Sequence, residues 1–127
     1  MNREIRFRAW DNYQNEMYDW NNLCELDSIG HLVLTNVLNG FVEHVNPMQF
    51  TGLKDKHGEE LFVGDIIKCN MFFDGGVLPH IGEIVYVPEF GSYATKNQAG
   101  ETLLHNHDHS SFELLGNIHQ NKELINV

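Results

Sequence analysis

The chain of 127 residues has the length of one domain, and its 42% hydrophobic content is enough to build a core without staples. A formal charge of −10, from 18 acidic residues spread between Glu4 and Glu123 against 8 basic ones, speaks for a solvated surface and against non-specific binding to phosphate backbones. Two cysteines without metal spacing, Cys24 and Cys69, fit free thiols in a reducing compartment; no apolar run approaches the ~20 residues of a membrane span, and charges interrupt the N-terminus, so no signal peptide and a cytoplasmic location are expected.

In chain order, Arg6 and Arg8 alternate with Ile5, Phe7 and Ala9, which predicts a strand with one wet face over residues 3–10. Asp11-Asn12-Tyr13-Gln14-Asn15 predicts a turn, and Met17, Tyr18 and Trp20 the returning strand. Residues 21–26 are ambiguous between helical turn and strand. Strands follow at residues 31–35 and, after the Asn39-Gly40 turn signal, at 41–45, with Pro47 closing this first third. Residues 48–53 turn the chain toward the core, and Lys54-Asp55-Lys56-His57-Gly58 supplies a polar loop. Gly64-Asp65 then leads into an apolar strand opened by Ile66-Ile67 and extending to Phe73. Asp74-Gly75-Gly76 signals a turn, and residues 81–87 form a strand apolar on both faces, as a central strand would be. A strand near residues 93–95, a loop over 96–100, a loop or strand end over 105–111, a closing strand over 112–119 and a terminal tail complete the pattern.

Several of these segments together resemble the YopX family of small proteins encoded in phages and prophages. They are Arg6-Phe7-Arg8-Ala9-Trp10-Asp11 with Met17-Tyr18, Met48-Gln49-Phe50-Thr51-Gly52-Leu53-Lys54-Asp55-Lys56, Gly58-Glu59-Glu60, Gly64-Asp65-Ile66-Ile67-Lys68, and Leu115-Gly116-Asn117-Ile118-His119. The resemblance implies a mainly β fold with a barrel-like portion, a tendency to oligomerise, and no established activity. It supplies no catalytic residues. Between Phe72 and His80 the chain departs from the family by what looks like a longer connection.

Each constellation with chemical potential has a structural counterpart. Gly52, Asp55, Gly58, Gly64 and Asp65 read as turn and strand-start residues, because Gly permits unusual backbone and Asp accepts backbone N–H bonds. On an extended strand His105, His107 and His109 would share one face, and imidazole suits Zn, Ni or Cu; three side chains spaced ~6.5–7 Å apart, however, converge poorly on one ion. Arg6 and Arg8 with Trp10 and Tyr18, and with Arg3, Tyr13 and Trp20 nearby, would make either a nucleic-acid or partner surface or simply a cross-strand aromatic cluster. Cys69 lies in an apolar strand, and Ser110-Ser111 beside His109 lack a nucleophile elbow, so no catalytic set is found. No phosphate-binding glycine loop and no cofactor motif are present.

The expected architecture is mainly β, with α+β left open: N-terminal hairpins over residues 1–47 and a partly open, barrel-like core over 48–127, folding as one cooperative unit. The expected role is a non-enzymatic accessory protein acting through protein–protein contacts, its expected partners being further copies of itself and a phage or host protein. Nucleic-acid binding through the N-terminal Arg and aromatic residues, metal binding through the His run, and DNA mimicry by the acidic surface stand as alternatives.

Overall fold

The structure, a computed structural model, describes residues 6–21, 45–73, 75–104 and 107–125. The segments expected as strands at 31–35 and 41–44, together with Arg3, Cys24 and His105, lie outside the described residues. The fold is mainly β, with a curled half-barrel sheet and a second sheet. Its strands are β1 (Phe7–Asp11), β2 (Glu16–Tyr18), β3 (Val45–Lys54), β4 (Glu60–Phe62), β5 (Asp65–Phe73), β6 (Gly76–Val87), β7 (Ser92–Asn97), β8 (Gly100–Leu103) and β9 (His107–Asn117), followed by a short 3-10 helix at Lys122–Leu124. Strand order is β2-β1-β3-β4 in one sheet and β8-β7-β6-β5-β9 in the other.

Two compact units divide the chain, Met1–Phe50 and Thr51–Val127. In the first, β1 and β2 form the expected hairpin, with Trp10 opposite Met17. Asp11 builds its turn: one carboxylate oxygen accepts the N–H groups of Tyr13 and Gln14, at 2.8 and 3.1 Å, and the other accepts the Tyr18 hydroxyl at 2.7 Å. Trp20 falls beyond β2, its ring centroid 6.3 Å from that of Phe7. The bend expected at residues 48–53 is instead the interior of a ten-residue strand, β3. Pro47 pairs with Ala9 inside that strand and ends nothing. What the turn signal at Gly52 marks is a local backbone irregularity, φ +84°, where the Thr51 hydroxyl donates to the Leu61 carbonyl at 2.7 Å.

The second unit is built on β5, whose alternate residues Ile67 and Cys69 point into a core with Leu61, Ile84, Tyr93, Leu104 and Phe112. β5 pairs with β6 in unbroken register, but its pairing with β9 shifts between Ile66 and Ile67 and again between Lys68 and Asn70. Such bulges bend a strand and strengthen its twist, which is how a five-stranded sheet curls without closing. At the second shift the Ser111 hydroxyl accepts the Asn70 N–H at 2.8 Å, in place of a backbone carbonyl.

The connection that looks long in the sequence is strand. β6 starts at Gly76, five residues before the expected start, and Pro79 sits within it opposite Asn70. The Ile84 carbonyl points to the β5 side, toward the Gly64 N–H, whereas the Ile81 carbonyl takes the Asn97 side-chain amide on the other side. Odd-numbered residues of β6 therefore address the edge away from β5, so the missing N–H of Pro79 costs the β5–β6 ladder nothing. β8 is a strand the sequence does not announce: the loop is expected over residues 96–100, and β8 begins at Gly100.

Candidate functional site

The motif residues are committed to backbone. Asp55 is buried and accepts three N–H groups: His57 and Glu59 at 2.9 Å through one oxygen, Leu114 at 3.0 Å through the other. Burial alone would raise its carboxyl pKa, but those three donors outweigh the desolvation and hold it below its ordinary 3.8. Asp65 is buried and receives the Phe62 N–H at 2.8 Å. Gly64, at φ +97°, donates to Ile84 and accepts from Ile118, so it ties β4, β6 and the end of β9 through main chain alone. A Cβ on Gly116 would collide with the Asn121 side chain, whose oxygen accepts the Asn117 N–H. These residues carry the family resemblance and hold turns.

The N-terminal Arg and aromatic residues are likewise engaged. Trp10 is 5% exposed, the Arg6 guanidinium lies 4.3 Å above the Phe50 ring, and the Tyr18 hydroxyl is bonded to Asp11. That hydrogen bond, then burial and the charges of Asp11 and Glu16, push the Tyr18 pKa up to about 12. Stacking of bases on Trp10 or Tyr18 requires these contacts to be broken. Tyr13, at the hairpin tip, is exposed.

His107 and His109 do not share the surface that strict alternation predicts. His107 is buried, its Nε2 2.8 Å from the Thr95 hydroxyl; His109 is exposed, stacked on Phe112, with Nε2 2.9 Å from the Leu104 carbonyl. A carbonyl only accepts, so that nitrogen of His109 carries hydrogen and offers no lone pair to a metal. Among the described residues no group of three or more His, Cys, Asp or Glu could hold a metal ion. Cys69 is a buried free thiol pushed up to about 11 by burial and then by the charge of Asp108, far from a thiolate nucleophile. The Ser110 and Ser111 hydroxyls donate to Asp108, both at 2.6 Å.

Sequence reasoning does not anticipate His80. Its Nε2 lies 2.8 Å from the same Thr95 hydroxyl that meets His107, and the two imidazole centroids are 5.3 Å apart. One hydroxyl proton cannot serve both rings: Thr95 donates to one and accepts from the other, or accepts from both while pointing its proton at the Thr102 carbonyl, 3.4 Å away. Gly82 makes room, since a Cβ there would stand 3.2 Å from His80 Nε2 and 3.1 Å from Thr95 Cβ. Burial lowers the His80 pKa. With its polar atoms turned on one another, the trio ties β6, β7 and β9.

Among the exposed large apolar side chains of the described residues, three gather on one face of the far half of the β5–β6 ribbon. Phe72 opposes Val77, Asn70 opposes Pro79 and Lys68 opposes Ile81. The two strands thus present one outward face on which Phe72 is 56%, Val77 52% and Ile81 37% exposed. Of the described strands, β7 pairs β6 only over Glu83 to Val87, which leaves residues 77–81 as an edge. Pro79 faces that edge without a donor, so strand addition is discouraged while the apolar face stays available. In a chain of charge −10 the facing pairs that make this surface contain no acidic residue.

The family model described as YopX protein matches residues 6–126. The crystal structure of protein EF1440 from Enterococcus faecalis is similar at a TM-score of 0.56 and 20% identity, over 98% of this chain and 99% of that one, a likeness of fold. The comparison with curated proteins found no match. Among the described residues no helix is long and apolar enough to cross a membrane.

Proposed function

The chain belongs to the YopX family, and from that premise we propose that it is a non-enzymatic module acting through protein–protein contacts, which self-associates through the outward face of the β5–β6 ribbon. The observation that carries this reading is the exposed apolar group of Phe72, Val77 and Ile81 on a chain of net charge −10; the β5–β6 pairs that carry it hold no acid, and Asp108 and Glu113 flank it from β9, opposite Asn70 and Lys68. Two copies of so acidic a chain repel over most approaches, and burial of this apolar group offsets that repulsion where the acids flank the contact without occupying its centre. A two-fold axis through the ribbon would bring each face onto its own copy, an isologous contact that closes at two. The family resemblance supports a phage or prophage accessory role, with a phage or host protein as the further partner.

Light scattering across a dilution series beginning at tens of micromolar tests the self-association. A dimer that dissociates on dilution and persists in high salt is expected, because apolar contact is not screened. A monomer at every concentration overturns the reading.

A further inference from the structure

Beside the ribbon, within the second unit, a groove runs between the 3-10 helix and the β7–β8 turn. One part of it, about 440 Å³, has Lys68, Pro79, His80 and Ile81 of the ribbon as one wall and Leu124 and Ile125 as the other. An adjoining part of about 200 Å³ shares Asn97, Gln98 and Ile125 with the first and adds Glu83 and Lys96. The rim is set rather than loose: Asn97 donates its side-chain amide to the Ile81 carbonyl at 2.9 Å and accepts the Ala99 N–H at 2.8 Å.

The charge at this groove is opposite in sign to that of the chain. Lys68 and Lys96 line it, and Lys122 acts with Lys96 on Glu83. These are three of the 8 basic residues in a chain that carries 18 acidic ones. Lys56, by contrast, is taken by Glu113 at 2.9 Å. Among the described residues Lys68, Lys96 and Lys122 form no ion pair of that closeness. The one acid present, Glu83, is half-buried, and burial raises its pKa against the pull of the two lysines.

We propose that this groove docks an acidic peptide segment carrying apolar side chains: its aliphatic groups lie against Ile81, Leu124 and Ile125 while its carboxylates meet Lys68, Lys96 and Lys122. Lysine ammonium groups round an apolar floor complement that chemistry, and a basic or uncharged segment gains nothing from them. The inference goes beyond self-association and names a second, heterologous partner.

The test titrates isotope-labelled protein with a synthetic twelve-residue peptide alternating Asp or Glu with Leu, and with a control peptide having Lys at every acidic position. The acidic peptide is expected to shift the amides of Ile81, Gln98 and Ile125 saturably. Its affinity should weaken about fivefold or more on raising salt from low to physiological strength, and by a similar factor in Lys96→Gln/Lys122→Gln. Those variants remove the charge but keep a polar side chain, and unchanged core amides of Ile67 and Ile84 report that they fold; Leu124→Glu is a second variant expected to abolish the shifts. Equal binding of the Lys peptide, shifts confined to other surfaces, or no saturable shift at millimolar peptide overturns the proposal. Lys68 and Ile81 belong to both surfaces, but Phe72 and Val77 lie outside the groove lining and Lys96 and Lys122 outside the facing pairs, so loss of dimer in Phe72→Ser with peptide binding intact, and loss of peptide binding in Lys96→Gln/Lys122→Gln with the dimer intact, separate the two.

Discussion

The two ends of β5 behave in opposite ways. At its start, Asp65, Gly64 and Asp55 sit where strands and turns converge, buried or at positive φ and each spent on main-chain hydrogen bonds, and Gly116 leaves no room for a Cβ against Asn121. At its far end Phe72 and its β6 neighbours Val77 and Ile81 stand in solvent. The residues most distinctive in the sequence are thus the least available to a partner. Buried carboxylates and positive-φ glycines are hard to replace because each has a single geometric solution, whereas an exposed apolar face tolerates any side chain of similar character.

The sharpest way to break this comparison is to damage the start of β5. Asp55→Asn places an amide NH₂ against either the Leu114 N–H or the His57 and Glu59 pair, and should cost about 2–4 kcal/mol in urea unfolding at neutral pH. The same site sets an acid limit. With its folded pKa below 3.8, Asp55 contributes stability that is fully present above that value and is lost as pH falls through the folded value. Wild type should therefore lose stability more steeply than Asp55→Asn in the acid range, and parallel curves would remove Asp55 from the account.

Gly116→Ala comes next: displacing Asn121 should cost about 1–3 kcal/mol by thermal unfolding, the range for overpacking a well-fitted contact. Thr95→Val removes the hydroxyl between His80 and His107, leaves two ring nitrogens without it, and should cost about 1–3 kcal/mol. The histidine resonances should shift in the same variant; if both stay in place, the shared hydroxyl is not what holds the rings.

Much of the fold was legible in the sequence. The hairpin of β1 and β2 follows from alternation round an Asp-rich turn, and Ile66-Ile67 marks the central strand. Pro79 obscured β6, because a proline within a run reads as a break unless its nitrogen is known to face an edge, and that is a matter of pairing. The bulges of β5 against β9 obscured the histidines, since they break the period that would have put His107 and His109 on one face. Little of the candidate site was legible. Exposure of Phe72, Val77 and Ile81 depends on where β7 stops, and the lysine groove gathers Lys68, Lys96 and Lys122 from three elements.

The smallest expected effect on stability belongs to the ribbon. Phe72→Ser and Val77→Ser lie on an exposed face and should each change stability by no more than about 0.5 kcal/mol. The most direct test of the central claim is sedimentation equilibrium of the Phe72→Ser/Val77→Ser double variant beside wild type at equal concentrations. A monomeric variant with an unchanged unfolding transition, next to a dimeric wild type, is the predicted result. A variant that associates as wild type does would contradict the assignment of partner contact to this face.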